Sequence, residues 1–203
     1  MPKSTFYKIP IAKQTKIIKS GQELFSQHFY ENVDVKMIVE LAEIPRGSFY
    51  AYFLNIEDFY LTTIKTLQER RLAKIVELSN EPDNNFFNLL LSIYDNDISE
   101  SLFSDQKLLI QHHFRYILTQ SLGFRYKGNQ KFQRPIFDVF KQYQPDFYLD
   151  NQNWHDFLEF CMNTLLSTYM TCIQEKLSKE QSIILFKNRI DIIRRGVTKR
   201  WLH

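Results

Sequence analysis

Asp34 to Phe53, DVKMIVELAEIPRGSFYAYF, reads as two short helices joined at a tight turn. Val35, Ile38, Val39 and Ala42 recur at helical spacing, so the first helix has one apolar face to dock on a neighbour. Asp34 stands where an N-cap belongs, its carboxylate placed to take an amide proton of the first turn. Pro45 cannot continue the first helix and has no amide proton to lose at the start of a second, which is expected over Pro45 to Ala51. Arg46, Ser48 and Tyr50 are its expected exposed groups: a fork donor, a hydroxyl and a long phenol, the kinds of group that reach base edges and phosphates. Gly47 lets a partner approach the backbone. An ordinary surface hairpin has the same outline, so the flanks decide between the two.

On the upstream side, Lys3, Lys8, Lys13, Lys16 and Lys19 all precede the first acid, Glu23. A basic arm of this kind gains affinity for phosphates by releasing counterions, although a solubilising tail has the same composition. Ile17, Ile18, Gly21, Leu24, Phe25 and Phe29 give the first helix the apolar face on which the short pair packs. Downstream, Asn55 is expected to cap a long fourth helix running to about Ser79, with Glu57 and Asp58 in its first turn, where the helix dipole favours acids. Pro82 and its Asn-rich neighbours end it. This helix is expected to join head and body as a rod without a hinge.

The chain has 203 residues, 44% of them hydrophobic, with only 5 Gly and 6 Pro, so long helices have few breakers and a sizeable core is affordable in one or two domains. Further helices are expected over 86–98, 104–122, 134–144, 153–177 and 179–201, and no sustained alternation argues for strands. The fold class is therefore all-α. No stretch of about 18 uncharged apolar residues exists and the basic N-terminus has no apolar signal core, so neither a membrane span nor export is expected, and the protein is placed in the cytoplasm. Cys161 and Cys172 fall in one expected helix, too far apart along its axis to bridge, and read as reduced core residues.

From Ile17 to Tyr60 the sequence resembles the DNA-binding domain of the tetracycline-repressor (TetR) family of bacterial transcription regulators. The resemblance is carried by Glu23-Leu24-Phe25, Tyr30, Val35 with Ile38, Ala42, Gly47 with Tyr50, Tyr52-Phe53 and Glu57, in that order. It implies a three-helix DNA-binding head over residues 1–54, with its helix-turn-helix at 34–53. A helical ligand-binding and dimerisation domain follows over 55–203, its last two long helices forming the dimer interface. It further implies a homodimer on a double-stranded, palindromic DNA operator, repression relieved by a small-molecule effector, no cofactor and no enzymatic activity. Carried over residue by residue, Arg46, Gly47, Ser48, Tyr50 and Tyr52 stand where family members meet DNA, with Lys36 as a phosphate contact.

The departures from the family pattern are Asp34 in place of Ser or Thr, Glu43 at a turn position often held by Gly, Phe29 in place of a helix-ending Gly, and Ile56 in place of a lysine. Residues 34–53 hold two bases against three acids, so binding is expected to be weak or strongly salt-dependent and to lean on the arm. Removing residues 2–16 is expected to cost more affinity than Lys36→Ala. A regulator-like dimer that has lost operator binding and acts through protein partners stays open as the alternative.

A helical enzyme has no support in the sequence. Glu-x-x-His pairs are missing, as are Cys/His clusters and any Ser/His/Asp order. His112 and His113 diverge by about 100° on a helix and cannot chelate one ion together; one is expected inward and one outward, with His112 a weak candidate for a ligand contact. His155 and Glu159 are spaced to form a surface ion pair. The segment Gly123 to Lys131 has two glycines five apart but lacks the Lys and Ser/Thr of a phosphate loop. The many aromatic residues between Phe86 and Tyr169 read as core before they read as a pocket, and no ligand-binding residue is named.

Overall fold

The computed structural model describes residues 2–82, 84–122, 130–147 and 149–197. Ten α-helices account for most of these residues, and no strand occurs among them. They are α1 (Ile11–Gln27), α2 (Val35–Ala42), α3 (Arg46–Tyr52), α4 (Ile56–Thr63), α5 (Lys65–Ser79), α6 (Phe86–Phe103), α7 (Lys107–Leu122), α8 (Gln130–Phe140), α9 (Asn151–Glu175) and α10 (Lys179–Val197). The chain divides into two compact units: Met1–Glu69 with Asp105–Tyr116, and Arg70–Ser104 with Ile117–His203.

In the first unit α1 packs on α2 and α4, and α2 packs on α3. Its core is built from Ile17, Leu24, Phe25, Ile38, Ala42, Phe49, Phe53 and Phe59, all buried. Phe53 has ring-centroid distances of 5.6 Å to Phe49 and 5.0 Å to Phe59, close enough for edge and tilted aromatic contacts. Gly21 sits where α1 crosses α4. A Cβ there would lie 2.5 Å from Thr63 Oγ1 and 2.7 Å from Phe59 Cζ, so the crossing requires glycine.

The expected single helix from Asn55 to Ser79 is corrected by the structure: it is two helices meeting at Ile64, whose backbone sits at φ −90°, ψ −1°. Ile64 N–H still reaches Tyr60 O (3.0 Å) and Ile64 O accepts from Gln68 N–H (3.0 Å), while the regular helical pattern is interrupted at this residue. Two adjacent threonines, Thr62 and Thr63, precede the junction. Their hydroxyls donate to the carbonyls of Asp58 and Phe59 (2.7 and 2.9 Å), four residues back.

The first unit also extends past residue 54. It takes in α4 and the first half of α7. His112 Nδ1 lies 2.8 Å from Phe25 O, His113 Nδ1 lies 2.9 Å from Tyr60 Oη, and Tyr116 donates to Glu57 Oε1 at 3.1 Å. Arg115 stacks its guanidinium 3.9 Å from the Phe29 ring centroid. His113 is buried and His112 half-buried, in keeping with the expected inward and outward pair, but His112 is held by a backbone carbonyl.

In the second unit α10 packs on both α6 and α9. Phe86 is the hub of its aromatic core, with Phe140, Phe147, Trp154 and Phe157 all within 5.6 Å of its ring centroid. These rings fill space between helices, as the core reading of the aromatic residues expects. Arg71 grips the buried Asp97 with both sides of its fork, at 2.7, 3.0 and 3.1 Å. Tyr94 stacks on Phe186 at 4.2 Å, and burial pushes its hydroxyl up to about 12.

Cys161 and Cys172 are both free and buried within α9, and burial raises the Cys161 thiol to about 12. His155 lies 3.9 Å from Asp156 and 5.1 Å from the Phe137 ring, so its acidic neighbour is Asp156 in place of the expected Glu159. The polar segment 123–131 lies outside the described residues except at its last two positions, as does the stretch expected to carry the last helix from 198 to 201.

Candidate DNA-binding surface

Asp34 caps α2 as expected: its carboxylate accepts the Met37 amide at 2.9 Å. The carboxylate that would repel a phosphate is thereby tied to the helix start. Glu43 follows α2 in the left-handed conformation (φ 52°, ψ 49°), the backbone geometry that favours glycine at this turn. Pro45 is the N-cap residue of α3 and not its first residue, so α3 begins at Arg46 and extends to Tyr52, one residue later at each end than expected. Asn55 caps α4 by accepting the Asp58 amide at 2.8 Å, and Asp58 Oδ2 reaches back to the Leu54 amide at 3.0 Å.

The seven residues of α3 split cleanly by exposure. Phe49 is fully buried and anchors the helix on the core, with Tyr52 beside it at 8% exposure. Arg46 and Gly47 are exposed, Ser48 is half-buried, and Tyr50 is 43% exposed, its ring edge-to-face with Phe49 at a centroid distance of 5.3 Å. Tyr52 therefore does not share the exposed face with the other sequence-selected residues. Its ring lies 6.0 Å from Phe6, which is itself buried. The signal was present in the sequence, since Tyr52 follows Phe49 by three residues and so falls on the same helix face.

Gly47 lies inside a helix, has no positive φ, and a Cβ there would meet nothing within 4 Å. Glycine within a helix costs about 0.5–1 kcal/mol relative to alanine, and packing in this chain gives no reason for it.

The charges near this face are partly used within the protein. Lys16 pairs with Glu43, whose carboxyl is held below its usual range by that hydrogen bond and by the same ammonium charge. Lys36 lies 3.9 Å from Glu40 on the exposed side of α2. Among the described residues Arg46 makes no ion pair, and Lys8, Lys13 and Lys19 are exposed on the arm and α1.

The arm itself is ordered. Phe6–Lys8 forms a turn of 3-10 helix, and Lys3 and Thr5 bond to the carbonyl end of α3. These residues escaped the sequence reading because nothing local marks them. Phe6, one apolar ring in a basic stretch, was the available hint. No group of three or more His, Cys, Asp or Glu side chains is arranged to hold a metal among the described residues, and no helix there is long and apolar enough to cross a membrane.

Over 84 residues the chain is 23% identical to the HTH-type transcriptional repressor NemR of Escherichia coli strain K12, a match covering 41% of this chain and 42% of NemR. Over 49 residues it is 41% identical to the transcriptional regulator AcuR of Cereibacter sphaeroides, covering 24% of this chain and 22% of AcuR. The matched part thus spans less than half the length of these relatives. The fold is similar to that of NalD, the secondary repressor of the MexAB-OprM multidrug efflux pump in Pseudomonas aeruginosa, with a TM-score of 0.61 at 13% identity over 94% of this chain and 98% of NalD. Residues 17–62, a span from within α1 to the last turn of α4 that includes the exposed face of α3, match the model of the bacterial regulatory proteins of the tetR family.

Proposed function

We propose that the protein is a dimeric transcriptional repressor that reads a palindromic double-stranded DNA operator with α3 and leaves it when a small-molecule effector binds. The observation that carries this reading is the outer face of α3. Arg46, Ser48 and Tyr50 offer hydrogen-bond groups to solvent around a glycine that the protein's own packing does not need. Glycine at the centre of such a face lets a partner's backbone come close, and Arg46, free of acids, is available for a base edge or a phosphate. Lys36, at the exposed start of α2, adds a phosphate contact. Tyr52 supports the face from beneath and does not join it.

Two copies are needed to read a palindrome, with recognition helices about 34 Å apart. Support for a homodimer through α9 and α10 comes from large apolar groups left in solvent there: Phe160 and Ile184 at 59% exposure, Ile192 at 72%. Along α9 the Thr164, Ser167 and Thr171 hydroxyls donate to carbonyls of their own helix, so burying this face against a second copy strands no donor. An effector that favours a body conformation with the two heads wrongly spaced shifts the dimer off DNA. One with equal affinity for both states changes nothing.

The test is selection of bound fragments from random duplex DNA by the full chain, followed by gel shifts with the enriched duplex. Arg46→Ala and Tyr50→Ala should each lose binding while sedimentation still reports a dimer. No enriched sequence, or full binding by both variants, removes the reading.

A further inference from the structure

We propose that residues 3–6 cap and brace the recognition helix from outside, making Lys3 and Thr5 positioning residues for DNA reading by Arg46, Ser48 and Tyr50. The inference rests on the assignment of α3 as the recognition helix.

A helix leaves its last four carbonyls without intrahelical partners, and in α3, only seven residues long, that is more than half of the helix. A helix this short is marginal in isolation and takes its geometry from what surrounds it. Among the described residues, only the carbonyl of Phe49 is satisfied by the chain that follows, accepting from Phe53 N–H at 2.8 Å. The other three are claimed by a segment almost fifty residues upstream. Tyr50 O accepts from the Lys3 ammonium at 2.7 Å, Ala51 O from the Thr5 hydroxyl, and Tyr52 O from Lys3 N–H at 2.8 Å.

Lys3 thus holds the helix end twice, and its positive charge sits where the helix dipole is negative. Phe6 pins the segment in place. It is 3% exposed, with ring-centroid distances of 6.0 Å to Tyr52 and 5.0 Å to Phe53, and its amide donates to Lys3 O at 2.9 Å to close the turn. The residue that presents its phenol to solvent, Tyr50, is therefore the residue whose carbonyl the Lys3 ammonium grips. Lys3 acts on DNA binding through α3, and the phosphate-contacting role that its place in a basic arm suggests falls to other lysines.

Salt dependence separates the two roles, because a lysine that neutralises a phosphate contributes about 0.9 to the slope of log affinity against log salt. On the duplex enriched by the full-length wild type, Lys3→Met and Thr5→Val should each weaken binding roughly threefold to tenfold, the range of one lost hydrogen bond. Both should keep the wild-type salt slope and relax base preference. Without any DNA, amide hydrogen exchange across residues 49–53 should quicken in the Lys3→Met/Thr5→Val double variant and not in α2. The charge-matched Lys8→Met should leave exchange in residues 49–53 at the wild-type rate. Unchanged exchange in the double variant overturns the brace, and so does a salt slope that falls by about one unit in Lys3→Met. If the wild type enriches no duplex, the DNA reading fails, and the exchange result still decides whether the brace exists.

Discussion

Lys16 and Glu43 form an ion pair that ties α1 to the turn of the helix-turn-helix, and Glu43 makes it from a left-handed backbone. A non-glycine residue in that region costs on the order of 1 kcal/mol. The pair is well exposed on both sides, so screening leaves it little to set against that cost. Because the Glu43 carboxyl is held low by Lys16, whatever the pair contributes is present at neutral pH and is lost as pH falls through the lowered folded-state value.

Glu43→Gly relieves the backbone and frees one ammonium beside the proposed DNA face. The expected outcome is a thermal midpoint at or above that of the wild type, tighter DNA binding, and a salt slope steeper by about 0.9. Calorimetry and binding titrations at several salt concentrations check it; weaker binding would show that Glu43 serves the DNA complex.

Gly47 separates a structural demand from a functional one. Nothing within 4 Å would meet a Cβ at this helical position, so Gly47→Ala should stabilise the isolated protein by about 0.5–1 kcal/mol. The same methyl stands on the face proposed to approach DNA and should weaken binding by tenfold or more. Chemical denaturation and gel shifts on one preparation read the two effects together. A stabilised variant that still binds normally would mean that the DNA backbone does not come close at this point.

Gly21 makes the opposite prediction. A methyl there would press on Thr63 and Phe59, the residues that hold α4 against α1, and a side chain in a packed crossing has little room to yield. Gly21→Ala should destabilise the head by about 1–3 kcal/mol, seen as a lower denaturation midpoint, with loss of DNA binding following from unfolding.

The parts of this head that were legible in its sequence are those with short-range causes. Asp34 and Asn55 cap the helices they precede, Pro45 separates α2 from α3, and the spacing of Ile38 and Ala42 gives the buried face of α2. Each is a matter of three or four neighbouring residues. What escaped depends on distant partners or on balanced local choices. The burial of Tyr52 depends in part on Phe6, far upstream, and the attachment of His112 and His113 to the head depends on Phe25 and Tyr60. The interruption at Ile64 falls within an apolar spacing that runs on through it, so the sequence pattern does not mark it. Of the proposed recognition face, Arg46, Gly47 and Tyr50 were readable from side-chain type and from their place just after Pro45, and not from helical spacing, since Arg46 precedes Phe49 by three residues. The brace from Lys3 and Thr5 was not, since any lysine or threonine in a polar arm looks alike.

In the second unit the ion pair between Arg71 and Asp97 predicts a large and reversible cost. Asp97 is 3% exposed, and the Arg71 fork meets both of its oxygens within 3.1 Å. Removing the arginine alone leaves a carboxylate in a low-dielectric site, a loss of about 3–5 kcal/mol when a buried pair is broken from one side. Arg71→Met should therefore lower the denaturation midpoint steeply at neutral pH. Adding Asp97→Leu removes the stranded charge, fills similar volume with carbon and should recover most of the stability, because a buried pair and a well-packed apolar replacement are often near parity. A double-mutant cycle read by denaturant unfolding checks both halves. If the double variant were as unstable as Arg71→Met alone, the pair would owe its worth to further partners of Arg71 and Asp97, and the simple exchange of charge for carbon would be wrong at this site.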